Sequence, residues 1–154
     1  MVRLVPMSAA EFRPYFETLV RTYAADNVRA GRWTEAESIA QSREQTEKLL
    51  PLGVNSPGHY LYTVVGGPRD EPVGVIWLAV EPRGGFIYDL QIAEAHRRQG
   101  YAEEAMRLVE QVAREKGAAR IGLHVFGENA GARKLYQKLG YVETNVLMAK
   151  SLSP

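Results

Sequence analysis

The sequence predicts an α/β domain in which a mixed, mostly antiparallel sheet carries helices on both faces. Apolar runs of strand length alternate along the chain with amphipathic runs of helical spacing. Short turns rich in glycine and proline join several of the strands, which indicates antiparallel neighbours. One strand–helix–strand step, over 86–92, 102–116 and 120–126, instead requires a parallel pair with a right-handed crossover.

Size and charge limit the classes to which the protein can belong. Its 154 residues suit one domain over 1–154, and 45% hydrophobic with 24% charged residues is typical of globular proteins. With 19 basic and 18 acidic residues, the net charge of +1 lacks the clustered basic excess of a nucleic-acid-binding protein. We therefore expect no nucleic-acid partner.

The residue types and motifs that the sequence lacks exclude several kinds of reaction and binding site. No cysteine is present, which excludes a disulfide, a thiol nucleophile and a cysteine metal site. His59, His96 and His124 show no metal-ligand spacing, so no metal is expected. The longest apolar run, 73–80, has strand length, and the N-terminus has no signal-peptide core. We expect a cytoplasmic enzyme or binding domain with no membrane partner.

Capping motifs and apolar periodicity define the individual elements. Ser8 with Glu11, and Thr34 with Glu37, form capping boxes that begin the first two helices. The predicted helices begin at residues 8, 34, 102 and 129 and end near residues 31, 51, 116 and 139. The predicted strands cover 2–5, 59–65, 73–80, 86–92, 120–126 and 141–150.

The turn Arg97-Arg98-Gln99-Gly100-Tyr101-Ala102 is suited to hold phosphate. It lies where a predicted strand leads into a helix, and a helix N-terminus presents unpaired N–H groups and the positive end of the helix dipole. Gly100 and Ala102 leave room for a ligand to approach the backbone. Two arginines at a helix start are unfavourable alone and make more sense beside a bound anion.

A second segment follows one helix and one strand later. Asn129 and Tyr136 are seven residues apart, so two turns of helix place them on one face. Asn129 also suits the N-cap position. Leu139, Gly140 and Tyr141 complete the segment.

Together these two segments resemble the signatures of the GNAT superfamily of acetyl-CoA-dependent N-acetyltransferases. The first matches the pattern (Gln/Arg)-x-x-Gly-x-(Gly/Ala), and the second matches Asn…Leu-Tyr-x-x-Leu-Gly-(Phe/Tyr). The resemblance implies acetyl-CoA as cofactor and a splayed parallel strand pair around it. It also implies contacts from the backbone of the first strand to pantetheine and from the turn amides to diphosphate. The implied cofactor-binding residues are Leu90, Ile92, Arg97, Arg98, Gln99, Gly100, Tyr101, Ala102, Glu103, Asn129 and Tyr136.

The resemblance also implies candidates for proton transfer. Tyr136 would lie near the thioester sulfur, and a tyrosine with a pKa of about 10 is protonated at neutral pH and can act as a general acid. His124 occupies the spacing at which some relatives carry a catalytic glutamate, and its pKa of about 6.5 suits a general base. The alternatives to His124 are a carboxylate or a water chain to solvent. The carboxylates near the predicted cleft are Asp89, Glu94 and Glu128.

The predicted function is acetyl transfer from acetyl-CoA to a primary amine by direct attack in a ternary complex. A non-catalytic acyl-CoA-binding or sensing module is an alternative. The acceptor is a small molecule or, alternatively, a protein N-terminus or lysine. The predicted last strand, 141–150, offers an edge that could pair with a second copy in a homodimer.

Overall fold

A five-stranded sheet in the order β1-β2-β3-β4-β5 forms the framework of the computed structural model, which describes residues 1–153. The first three junctions are antiparallel, whereas β4 and β5 are parallel. This confirms the predicted mixed, mostly antiparallel sheet. The strands are β1 Val2–Pro6, β2 His59–Gly66, β3 Glu71–Glu81, β4 Gly84–Ile92 and β5 Ile121–Leu123.

Four helices accompany the sheet, and their starts follow the capping signals. Ser8 Oγ accepts a hydrogen bond from the Glu11 amide at 3.1 Å, and the Glu11 carboxylate accepts one from the Ser8 amide at 2.9 Å. No helix within residues 1–153 has both the length and the apolar character to cross a bilayer. The helices are α1 Ala9–Arg29, α2 Glu35–Leu49, α3 Tyr101–Glu115 and α4 Ala130–Lys138, with 3-10 turns at Gly53–Asn55 and Glu94–His96.

The helices cover opposite faces of the sheet. Ile76 and Leu78 on β3 pack in the cluster that contains the buried face of α3, whereas Trp77 between them packs with α1 and α2 residues. Since successive strand residues point to opposite faces, the two clusters lie on opposite sides of the sheet. α3 therefore covers one face, and α1 with α2 covers the other.

The predicted strand over 141–150 is wrong, because within residues 1–153 this segment pairs with no strand. Val142 is 81% exposed and Leu147 is 89% exposed. The apolar residues here do not alternate strictly, so no single strand register would bury all of them on one face. The edge that could have paired with a second copy is therefore absent.

The last predicted parallel strand is shorter than expected. The pattern predicted 120–126, but β5 covers only Ile121–Leu123. Beyond Leu123 the chain no longer pairs with β4, and a strand requires a partner for its backbone groups. His124 is therefore in the connection after β5.

Two Leu→Ala variants test this distribution of burial. Leu78 is fully buried and Leu147 is 89% exposed. We expect Leu78→Ala to lower the free energy of unfolding by about 2–5 kcal/mol, because it opens a cavity. Leu147→Ala should change it by less than about 0.5 kcal/mol. Urea denaturation measures both, and a large loss in Leu147→Ala would show that the C-terminal segment is docked.

Candidate active site

β4 and β5 separate after a short stretch of pairing. They are joined only at Gly85–Ile121, Phe86–Gly122 and Ile87–Leu123. β4 continues to Ile92 and stays paired with β3 over that length. In the described part of the chain, β4 is therefore open on its β5 side near Leu90 and Ile92. This confirms the splayed parallel pair.

The turn from β4 to α3 is tied to the strand that it leaves. Arg97 Nε donates a hydrogen bond to the carbonyl of Ile92 at 2.9 Å, so this arginine folds back over the turn. Arg98, with φ of 63°, and Gly100, with φ of 84°, both adopt the left-handed conformation. Left-handed residues within such a turn aim neighbouring N–H groups into one concavity, which is a common way to bind anions.

The start of α3 supplies further free amides. The first helical bond runs from the Glu104 amide to the Gly100 carbonyl at 3.1 Å, so the amides of residues 101–103 have no carbonyl partner inside the helix. A Cβ added to Gly100 would contact nothing within 4 Å, so the backbone is open to a ligand there. Arg98, Gln99 and Gly100 are exposed. These features fit a diphosphate.

The first side chains of α3 contact the core and α4, and these contacts hold the start of the helix in place. Tyr101 is buried with 8% exposure, and Ala102 packs against the same core cluster. Glu103 forms an ion pair with Lys138 of α4 at 2.6 Å. That ion pair connects the turn to the helix that carries Tyr136.

α4 begins as predicted and positions two of the candidate residues. Asn129 accepts a hydrogen bond from the Ala132 amide at 3.1 Å and caps the helix. The ring of Tyr136 lies 5.8 Å from that of Tyr141, whose hydroxyl donates to Glu110 of α3 at 2.7 Å. Burial raises the pKa of Tyr136, and the Asp89 carboxylate raises it further. Tyr136 therefore keeps its proton at neutral pH.

His124 and Tyr136 line one cleft of about 970 Å³ between β5, α4 and the C-terminal segment. The His124 ring contacts Phe126 edge-on, with 4.9 Å between centroids. Partial burial lowers the pKa of His124, and the positive charge of Arg32 lowers it further. His124 is therefore neutral at pH 7. Within residues 1–153, no group of three or more His, Asp and Glu side chains is arranged to hold a metal ion.

Asp89 is a partly buried carboxylate on the α1 side of the sheet. Tyr15 Oη of α1 donates to Asp89 Oδ2 at 2.7 Å, and Gln91 donates to Oδ1 at 3.4 Å. Burial raises the pKa of Asp89 to about 6, although these hydrogen bonds partly oppose the shift. Sequence reasoning left Asp89 as one of several carboxylates. It missed Tyr15, because a tyrosine on an apolar helix face carries no signal beyond packing.

The comparisons with known proteins agree with this architecture. The model of the Acetyltransferase (GNAT) family matches residues 19–141. The chain therefore belongs to the GNAT acetyltransferase family and is an N-acetyltransferase, an enzyme class that uses acetyl-CoA.

Relatives match almost the whole chain. The uncharacterized N-acetyltransferase YycN of Bacillus subtilis is 37% identical over 98% of this chain and 99% of its own. YdgE of the same organism is 37% identical over 97% of each chain. The crystal structure of YycN covers 100% of both chains with a TM-score of 0.93. A GNAT family acetyltransferase from Elizabethkingia anophelis with acetyl-CoA bound shares the fold at 19% identity, over 94% of this chain and 78% of its own, with a TM-score of 0.65.

Two Gly→Ala variants test the backbone of the turn. Gly100 is left-handed, whereas Gly131 in α4 has no positive φ, and an added Cβ meets open space at both. Gly100→Ala should lose about 1–2 kcal/mol of stability through backbone strain. Gly131→Ala should gain about 0.4–1 kcal/mol, because alanine restricts the unfolded chain. Thermal unfolding compares them, and the same sign in both would contradict the assigned turn geometry.

Proposed function

We propose that the protein transfers the acetyl group of acetyl-CoA to a primary amine by direct attack in a ternary complex. The main observation behind this proposal is the turn that begins α3. Its free amides lie beyond the end of the unpaired edge of β4. The chain has no cysteine to form a thioester intermediate, which favours direct transfer. Membership of the GNAT family supports the same reaction.

The residues present fit the cofactor along its length. The free amides of residues 98–103 suit its diphosphate, and the open edge at Leu90 and Ile92 offers backbone groups to the amides of pantetheine. Asn129, the N-cap of α4, is the further polar residue that the family resemblance assigns to the cofactor. Arg97 would contribute by holding the turn against Ile92. Bound acetyl-CoA supplies an activated acyl group and a thiol leaving group.

Tyr136 is the candidate general acid. Its raised pKa keeps the hydroxyl protonated, so it can give a proton to a departing thiolate. An alkyl ammonium must lose a proton before its nitrogen can attack. Two groups can accept that proton, neutral His124 and the carboxylate of Asp89.

Ligand-induced stabilisation tests the cofactor assignment. At about 100 times its Kd, acetyl-CoA should stabilise the protein by about 2.7 kcal/mol. That corresponds to a rise in Tm of about 5–10 °C for a chain of this size. AMP should shift Tm much less, because it lacks the pantetheine and part of the phosphate. Equal shifts from AMP and acetyl-CoA would contradict a coenzyme A site.

Thiol release in the presence of primary amines tests the reaction itself. A panel of spermidine, phenethylamine, an aminoglycoside and a peptide with a free N-terminus and a lysine covers the acceptor classes. If the protein binds acetyl-CoA but releases no coenzyme A thiol with any amine of the panel, a sensing module is favoured.

Tyr136→Phe tests the general acid. We expect kcat to fall about 100-fold or more, because the departing thiolate loses its proton donor, while the Tm shift with acetyl-CoA is retained. Tyr23→Phe is the matched control, since the Tyr23 hydroxyl is in a long, exposed contact with Gln45 at 3.5 Å. Equal turnover in both variants would remove Tyr136 from the chemistry.

A further inference from the structure

Two sequence segments with strand character that stay wholly or partly unpaired lie on either side of one cleft. The pattern predicted strands over 120–126 and 141–150. β5 stops at Leu123, and within residues 1–153 the segment after α4 pairs with no strand. Residues of both segments line the cleft of about 970 Å³. Each wall of the cleft therefore lacks the strand partner that its sequence suits.

The side of β5 that faces away from β4 is an unpaired sheet edge. β5 is the last strand in the sheet order, and in the described part of the chain no strand lies beyond it. Such an edge presents N–H and C=O groups that another extended chain can satisfy. The apolar residues Ile121, Leu123, Val125 and Phe126 also line the cleft. A chain that fills this edge must therefore be extended and must carry apolar side chains.

The C-terminal arm, defined as residues 144–152, has the side chains and the length for this edge. Val146, Met148 and Leu152 are 66%, 86% and 92% exposed. Their even spacing points all three to one face of an extended chain. Leu147 points to the other face, in agreement with the small effect expected for its replacement by alanine. At about 3.3 Å per residue the arm spans about 30 Å, which exceeds the roughly 23 Å of 120–126.

The base of the arm is fixed, whereas the arm itself is not hydrogen-bonded to the fold. Tyr141 donates to Glu110 of α3 at 2.7 Å, and Arg133 of α4 donates to Glu143 at 2.6 Å. Residues 144–153 make no hydrogen bond to any other part of the described chain. The arm thus extends from a rigid base and has free backbone groups along its length.

The arm of the same copy does not fit the free edge of β5. It already lies on the far wall of the cleft, where its base holds it. Residues 141–153 contain no glycine or proline, and none of the dipeptides, such as Asn-Gly, that favour a tight hairpin. The chain therefore has no turn that would bring the arm back across the cleft to its own β5.

We propose that the arm of a second copy binds in this cleft as a strand on the free edge of β5, and that two copies exchange their arms reciprocally. A two-fold arrangement uses the same surface on both copies, so one dimer pairs both β5 edges and buries both arms. Within one copy the segment 141–150 provides no strand edge, and the edge that receives the second copy is that of β5. The added strand gives 124–126 the partner that they lack.

The exchange brings the second copy next to the candidate site. Tyr136 and His124 line the cleft that the arm fills. The arm of the second copy therefore lies beside the proposed acid, and this wall of the cleft is incomplete in a single copy. The assembly itself does not depend on the proposed acetyl transfer, and its tests do not use activity.

The oligomeric state of the full chain tests the proposal. Light scattering after size-exclusion chromatography at micromolar concentration should give the mass of two chains. Met148→Asp should raise the dimer Kd about 100-fold or more, because it places an unpaired charge in the interface. The variant should keep the circular dichroism of the folded chain, since Met148 is exposed in one copy. Leu52→Asp, at an exposed side chain outside the arm, is the matched control and should stay dimeric.

Two results would overturn the exchange of arms. One is an unaltered protein that is monomeric at micromolar concentration. The other is a dimer that Met148→Asp leaves as tight as the control, because its interface would then lie elsewhere.

Cross-linking identifies which copy supplies the arm. The chain has no cysteine, so the double variant Val125→Cys, Met148→Cys carries just the two introduced thiols. Isotopically normal and heavy chains of this variant are refolded together and treated with a short bismaleimide. Mass spectrometry should find position 125 of one isotopic form linked to position 148 of the other. Links confined to single chains, or no link between these positions, would contradict the exchange.

Discussion

The early separation of β4 from β5 is the constraint on which the site depends. Parallel strands ordinarily satisfy each other's backbone groups along their length. Here the pairing stops at Ile87 and Leu123, while β4 runs on to Ile92. The continued pairing with β3 keeps the free part of β4 rigid. The edge of β4 that is unpaired on its β5 side leads, through the turn over 93–100, to the free amides that begin α3.

The two faces of the sheet supply different parts of this arrangement. α3 packs its apolar face on one side, which fixes the position of the turn at its N-terminus. α1 packs on the other side and brings Tyr15 to Asp89. α4, which carries Tyr136, is tied to α3 through Glu103–Lys138, and the chain just after α4 is tied to α3 by the bond from Tyr141 to Glu110. The turn that opens α3 and the Tyr15–Asp89 pair thus belong to opposite faces of the sheet, with β4 between them.

Much of this architecture could be predicted from the sequence, because the signals are local. The capping box at Ser8, the left-handed Gly100 and the N-cap at Asn129 each act within a few residues. The parts that could not be predicted depend on tertiary pairing. The β4 bulge and the Tyr15–Asp89 bond join residues distant in sequence, and nothing local marks them. The predicted strand over 141–150 failed for the same reason, since apolar composition does not provide a partner edge.

Amide hydrogen exchange with and without acetyl-CoA tests the central claim most directly. The open β4 edge and the start of α3 are proposed to form one binding surface. Acetyl-CoA should therefore slow exchange at Leu90 or Ile92 and across residues 98–103 together, while amides of β1 paired to β2 change little. Protection confined to the helix start, or appearing on β1 and β2 instead, would contradict a cofactor site built on the separation of β4 from β5.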